Sequence, residues 1–213
     1  MVTKVYLIRH AEAEGNAVPF FQGSLDTCLT EKGERQLDYL AARFVDIPLD
    51  AIYFSPYQRA RLTAEAVNRN HHLDMIPEYD LREINGGKWE GRRILDLRDE
   101  YPEEFRIWQE RMPEFVAPDG DAMTEVYDRM RRIMQKIADE NPGKTIAVFT
   151  HGCALRNFLS YVESGSIEGL PAVGWGDNSA VSLAEYDTES GWRLIYKNNS
   201  AHLPQNIHTA LPL

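Results

Sequence analysis

Four residues with strong chemistry stand just where runs of β-forming residues stop. Arg9 and His10 follow Val2 to Ile8, Arg59 lies just past Asp50 to Phe54, and His151 follows Lys144 to Thr150. If those strands run parallel, all four residues emerge at one edge of a sheet, where α/β folds place their sites. Two guanidinium groups and two imidazoles converging there suit the binding and handling of a compact anion. Arg59 is the telling member. It falls in the first turn of an expected helix, where the macrodipole makes a cation locally unfavourable by some tenths of a kcal/mol. An anion at the helix start, faced by both the N–H groups and the guanidinium, would account for it. Singly, each residue has an ordinary reading. Arg9 or Arg59 could pair with one of the 33 Asp and Glu residues, and a lone histidine beside a strand is commonly a hydrogen-bonded core residue. The joint placement is what points to chemistry. His71 and His72 are adjacent, so their side chains diverge, and no third ligand stands at a suitable spacing; no metal site is expected. His202 and His208, in an irregular Pro-containing tail, carry no signal.

The elements that must position these residues follow from the pattern. Thr30 reads as an N-cap, with Leu37, Leu40, Ala41 and Phe44 at i, i+3, i+4 and i+7 on one helical face. Ser55-Pro56 reads as a second helix start, serine as cap and proline at the first helical position, with the helix running to about Asn68. Leu73 to Ile76 suggests a strand, Gly86, Gly87 and Gly91 break the chain, and Tyr101 to Arg111 looks helical and aromatic-rich. Asp119 to Glu140 is a helix with Met123, Val126, Met130, Ile133 and Ile137 on one face, a stripe suited to core packing. A further helix follows His151-Gly152 to about Val162, and Val181 to Asp187 with Trp192 to Asn198 reads as a β-hairpin around Thr188 to Gly191. Repeated strand–helix alternation implies an α/β fold, a mostly parallel sheet covered on both faces with the hairpin as an antiparallel edge. The 213 residues form one expected domain, 1–213, with 74–118 as a possible lid or insertion.

Charge and composition narrow the partners. With 23 Lys and Arg against 33 Asp and Glu, the net charge of −10 argues against a general nucleic-acid binder, which needs a basic surface. No run approaches the roughly 18 apolar residues that span a bilayer, so no membrane partner is expected. The start, Met1-Val-Thr-Lys4, runs straight into a strand without a signal-peptide pattern. Cys28 and Cys153 are far apart and read as buried small hydrophobes in a reduced, cytoplasmic protein.

Five ordered segments carry a resemblance that spans nearly the whole chain. Leu7-Ile-Arg-His-Ala-Glu-Ala-Glu-Gly-Asn16 resembles the Arg-His-Gly signature of the histidine phosphatase superfamily, the phosphoglycerate mutase-like proteins, with Ala11 in place of the usual glycine. Phe21-Gln-Gly-Ser-Leu-Asp-Thr-Cys-Leu-Thr-Glu-Lys-Gly33 is similar to the loop that leads into that family's first helix, and Ser55-Pro-Tyr-Gln-Arg-Ala-Arg-Leu-Thr-Ala64 to its Ser-Pro-x-x-Arg-Ala-x-x-Thr-Ala block. Leu81-Arg-Glu-Ile-Asn-Gly-Gly-Lys-Trp-Glu-Gly91 resembles its acid-bearing loop, and Val148-Phe-Thr-His-Gly152 its second histidine motif. The resemblance implies a phosphoglycerate mutase-like three-layer α/β/α sandwich and phosphoryl transfer through a phosphohistidine, without metal or cofactor.

On that resemblance each residue takes a role. His10 is the nucleophile, with one ring nitrogen anchored so that the other presents its lone pair. Arg9, Arg59 and His151, the last as a further positive donor, cradle the phosphoryl oxygens, and Asn16 with Gln22 or the Gly23 backbone completes the cradle. Glu83 is the general acid and then the general base; otherwise it would be a surface carboxylate paired with Arg82 or Arg92. The expected ligand is a small phosphorylated metabolite. Mutases of the family usually carry a tryptophan before the asparagine, where this chain has Gly15, and an Arg-x-Tyr-Gly element after the acid, where it has Ile84-Asn85-Gly86. They also carry a longer insertion than this chain has room for. The pattern therefore resembles the phosphatase branch, with a mutase or a non-catalytic phospho-ligand binder as the alternatives. Phe20, Phe21, Trp89 and Tyr101 to Pro118 could form an aromatic wall or lid, or simply core.

Overall fold

Side chains along β1 (Thr3–Arg9) alternate between two apolar layers, which is why this strand must lie mid-sheet. Val5 and Leu7 pack into one layer and Ile8 into the other. The computed structural model describes residues 1–209, so the last four residues of the expected domain, 210–213, lie outside the described residues. The other strands are β2 (Ala51–Phe54), β3 (Met75–Pro77), β4 (Thr145–Thr150), β5 (Val181–Asp187) and β6 (Gly191–Asn199). They form one sheet in the order β3-β2-β4-β1-β5-β6. The first four of these are parallel, while β5 runs antiparallel to both β1 and β6. The expected mostly parallel sheet with a hairpin edge is what the chain forms.

The helices are α1 (Glu14–Ala17), α2 (Glu31–Phe44), α3 (Gln58–Asn68), α4 (Ile94–Glu100), α5 (Pro102–Glu110), α6 (Met123–Asp139) and α7 (Gly152–Ser164). Leu40 and Phe44 of α2 and Ala64 and Val67 of α3 cover one face of the sheet. The other face is covered by Met130, Ile133 and Ile137 of α6 and Leu155, Phe158 and Leu159 of α7. The Met-containing stripe of α6 is therefore core, as its period implied. Thr30 caps α2 by accepting the Gly33 N–H at 3.0 Å.

Three local expectations are corrected. Ser55 does not cap a helix: α3 begins at Gln58, its N-cap residue is Tyr57, and Ser55 is fully buried with its hydroxyl committed elsewhere. The helix expected from Asp119 starts at Met123, because Asp119 takes φ +58° in a turn. Cys28 is exposed; only Cys153 is buried. Among the described residues no helix is long and apolar enough to cross a membrane.

Candidate active site

The carboxyl ends of β1, β2 and β4 lie side by side, since the His10 N–H donates to the Thr150 carbonyl and the Ser55 N–H to that of Phe149. This register brings His10, Ser55 and His151 together from three distant parts of the chain. The rings of His10 and His151 are 5.2 Å apart between centroids. His10 is almost fully buried, and its Nδ1 lies 2.8 Å from the Ala11 carbonyl oxygen, which can only accept. Nδ1 therefore carries the proton and Nε2 keeps its lone pair. Burial first, then the Arg59 and Arg9 charges, push the His10 pKa well below its usual value, so the ring is neutral.

His151 is corrected in one respect. It was expected as a positive donor, but burial, Arg59 and the neighbouring His10 hold its pKa well below the usual value too. Its Nε2 lies 2.7 Å from Ser55 Oγ. With the hydroxyl donating to Nε2, the neutral ring carries its proton on Nδ1, which is buried without a partner. His151 thus offers a neutral N–H rather than a charge. Ser55, read from sequence as a cap, is the residue that can set this tautomer.

A cavity of about 520 Å³ opens over the strand ends. Its wall includes Arg9, His10, Asn16, Gln22, Gly23, Arg59 and Glu83, and the fully buried His151 ring lies against that of His10. Arg9 Nη1 donates to the Gly176 carbonyl at 2.6 Å, and Arg59 donates to the carbonyls of Leu25 at 2.6 Å and Gly23 at 2.9 Å. The Nε atoms of both arginines are buried with no partner. Around His10, then, three buried nitrogens have unspent hydrogen-bonding capacity, an arrangement that an anion accepting from them would satisfy. The start of α3 is less free than expected. Asp26 Oδ1 accepts the Gln58 N–H at 2.6 Å, so a carboxylate of this chain takes the place proposed for a ligand there.

Loops complete the wall. Asn16 Oδ1 accepts from the Ala13 N–H at 3.0 Å and from Asn178 Nδ2 at 3.2 Å, which leaves the Asn16 amide NH₂ as a donor. Gln22 Oε1 accepts from Thr27 Oγ1 at 2.5 Å, so its NH₂ is likewise free to donate. A Cβ on Gly15 would overlap the Gln22 side chain, so a tryptophan there is incompatible with this Gln22 position. Gly23 has φ +50° and is held beside Glu90, whose Oε1 accepts from the Ser24 N–H, Ser24 Oγ and the Gly86 N–H. That carboxylate ties the Gly23 loop to the loop carrying Glu83.

Glu83 is not paired with Arg82 or Arg92. Its Oε2 accepts the Cys153 N–H at 2.9 Å, and its Oε1 accepts those of Ala154 and Ile84, each at 3.0 Å. Two of these donors belong to the first turn of α7, where a carboxylate is well placed. Arg129 holds the same loop from behind, donating to the carbonyls of Asp80 and Arg82, each at 2.7 Å, and Thr150 Oγ1 donates to that of Leu81 at 2.6 Å.

One supporting segment carried no sequence signal. Asn178 Nδ2 donates to the His10 carbonyl at 2.9 Å as well as to Asn16, so residues 176–178 touch Arg9, His10 and Asn16. The segment is fastened in turn by the tail: Asp177 Oδ2 meets His208 Nδ1 at 2.5 Å, and its Oδ1 accepts the Thr209 N–H at 3.0 Å. Thr209 Oγ1 also donates to the buried Glu12 at 2.8 Å. His208, which carried no signal in sequence, is part of this fastening.

The profile of the histidine phosphatase superfamily (branch 1) matches residues 5–200. The chain belongs to this family. It is 34% identical over 155 residues to phosphoserine phosphatase 1 of Hydrogenobacter thermophilus, which covers 73% of this chain and 74% of that protein. It is 31% identical over 214 residues to Escherichia coli "Probable phosphoglycerate mutase GpmB", covering 94% of each. Among solved structures, Bacillus stearothermophilus YhfR superposes with a TM-score of 0.88 at 29% identity, covering 94% of this chain and 98% of that one. The six-stranded sheet with helices on both faces is thus the phosphoglycerate mutase-like sandwich of the histidine phosphatases.

The two neutral imidazoles make stability depend on pH. Below a pH of about 6.5 the unfolded chain protonates these histidines while the folded site resists it. Folding stability should therefore fall as pH drops, by up to about 1.4 kcal/mol per pH unit for each histidine. Melting temperatures between pH 7 and 5.5 should decline, and less steeply in His10→Gln. Parallel slopes in the two proteins would contradict a neutral, buried His10.

Proposed function

We propose that this protein is a metal-independent phosphatase that hydrolyses small phosphomonoesters through a phosphohistidine on His10. The observation that carries the reading is the state of His10: a neutral ring, its Nδ1–H anchored on Ala11, in a cavity lined by Arg9 and Arg59, each with a buried, unpartnered Nε. A phosphomonoester dianion repels anionic nucleophiles, so a neutral nitrogen between two guanidinium groups suits in-line attack. Arg9, Arg59, the His151 N–H, the Asn16 and Gln22 amides and the Gly23 backbone hold the phosphoryl oxygens. The His10 Nε2 lone pair forms the N–P bond as the P–O ester bond breaks, and protonated Glu83 gives its proton to the departing alkoxide. The Glu83 carboxylate then takes a proton from water, whose oxygen attacks phosphorus. The N–P bond breaks, and inorganic phosphate leaves with His10 and protonated Glu83 restored. The whole chain is read as one catalytic domain, with the part of 74–118 that forms α4 and α5 covering the outer end of the cavity.

Hydrolysis of p-nitrophenyl phosphate in excess chelator tests the enzyme against a phospho-ligand binder. Assaying 3-phosphoglycerate with and without a bisphosphate primer tests it against a mutase; primer-dependent isomerisation faster than phosphate release would reject the phosphatase reading. Arg59→Ala should lower kcat about 10²–10³-fold, as expected for loss of one preorganised donor to the transition state. A change confined to KM would assign Arg59 to ground-state binding alone.

A further inference from the structure

The Ser55-Pro56 pair has the form of a helix start, yet α3 begins only at Gln58, so the pair has another use. Ser55 is wholly buried at the end of β2, and its N–H donates to the Phe149 carbonyl at 2.9 Å, so the sheet fixes where its hydroxyl stands. Among the described residues that hydroxyl has a single hydrogen-bond partner, His151 Nε2 at 2.7 Å. Tyr57, two residues on, reaches the same imidazole. Its ring stands 5.4 Å from that of His151 in an edge-on arrangement, and the Arg59 guanidinium carbon lies 5.2 Å over it. The start of α3 holds Tyr57 in place, because its carbonyl accepts the Ala60 and Arg61 N–H groups, each at 3.0 Å.

Proton counting decides what the serine does. If His151 Nε2 carried the proton, Ser55 Oγ would accept it, and the hydroxyl proton would be left buried with no acceptor. The His151 Nδ1 lone pair, which also has no partner, would then offer nothing to a bound phosphoryl group, whose oxygens only accept. With the hydroxyl donating to Nε2, the ring proton sits on Nδ1 and a phosphoryl oxygen takes it. Around an acceptor-only ligand, this second arrangement alone uses every buried proton. A neutral imidazole serves as a donor only when its other nitrogen is engaged in this way.

We propose that the Ser55-Pro56-Tyr57 segment is a positioning clamp for His151: the serine hydroxyl fixes the ring proton on Nδ1 for the phosphoryl group, and the tyrosine ring holds the imidazole beside Arg59. This rests on the phosphatase reading and adds to it two residues that act through another side chain.

Long-range nitrogen–proton NMR spectra of the histidine rings read the tautomer, with His151 assigned by its absence from His151→Gln. At neutral pH the parent should show Nδ1 protonated and Nε2 bare. Ser55→Ala should lose that preference and lower kcat on p-nitrophenyl phosphate about 10–100-fold with little change in KM, as expected when an orienting partner of a transition-state donor is removed. Ser55→Thr, checked for an unchanged melting temperature, should keep the Nδ1–H form and recover most of the rate. Tyr57→Ala should lower kcat about 2–10-fold, the scale of one aromatic contact, and Tyr57→Phe should recover it. A parent ring protonated on Nε2, a Ser55→Ala enzyme slowed without a change of tautomer, or full activity in Ser55→Ala or Tyr57→Ala would overturn the clamp and leave the phosphatase reading standing. If no ester is hydrolysed the phosphatase reading fails, and the spectra with calorimetric titration of inorganic phosphate still decide the clamp. An unchanged tautomer or an unchanged phosphate affinity in Ser55→Ala then overturns it, and a change in both supports it.

Discussion

His10→Ala should reduce turnover to background and abolish the acid-labile phosphoenzyme formed with labelled substrate. The expectation follows from geometry as well as from the role. No second nucleophile is ready to substitute. His151 is fully buried, and its Nε2 is engaged with Ser55 Oγ at 2.7 Å. Cys153 is buried, and burial raises its thiol pKa, so it remains protonated at neutral pH. The alanine variant keeps Arg9 and Arg59, so it should still bind phosphate or vanadate while failing to turn over. Label retained on the variant, or a rate within tenfold of the parent, would remove His10 from the role of nucleophile.

The second large effect concerns Glu83. Glu83→Gln should slow hydrolysis of alkyl phosphates about 10²–10⁴-fold, the range for a positioned acid–base group. On p-nitrophenyl phosphate the loss should be much smaller, because that leaving group needs little protonation. The structure adds a complication that the leaving-group comparison resolves. Glu83 accepts three N–H groups on its two oxygens, and a glutamine amide would turn an NH₂ towards at least one of those donors. Misplacement of this kind affects both substrates alike, so the loss on p-nitrophenyl phosphate measures it, and the excess on alkyl esters measures proton transfer. Equal losses on both would reject Glu83 as the acid.

Residues whose role follows from chain direction were the most legible in the sequence. Arg9, His10 and His151 end parallel strands, and a strand run followed at once by a titratable residue is visible without a structure. The sheet itself was legible for the same reason, since β2 and β4 are buried on both faces and read as unbroken apolar runs. What stayed hidden depends on contacts between distant segments. Ser55-Pro56 has the form of a cap, and only the β2–β4 register shows its hydroxyl committed to His151. The α3 start invited an anion, and the one that binds is Asp26 from an earlier loop. Asn178 acts on main-chain carbonyls and an amide, which leave no mark in residue spacing. Helix α4 escaped notice because it is only seven residues long and buries a single side chain, Leu97, so it has no apolar face to recognise.

The fastening of residues 176–178 by His208 and Thr209 has a consequence for the order of events at the ribosome. His10 precedes Asn178, the partner of its carbonyl, by 168 residues, and the contacts that secure the neighbouring Asp177 come later still. A nascent chain can pair β1 with β4 long before its reactive centre is locked. The surroundings of His10 are therefore complete only once His208 and Thr209 have left the ribosome and docked.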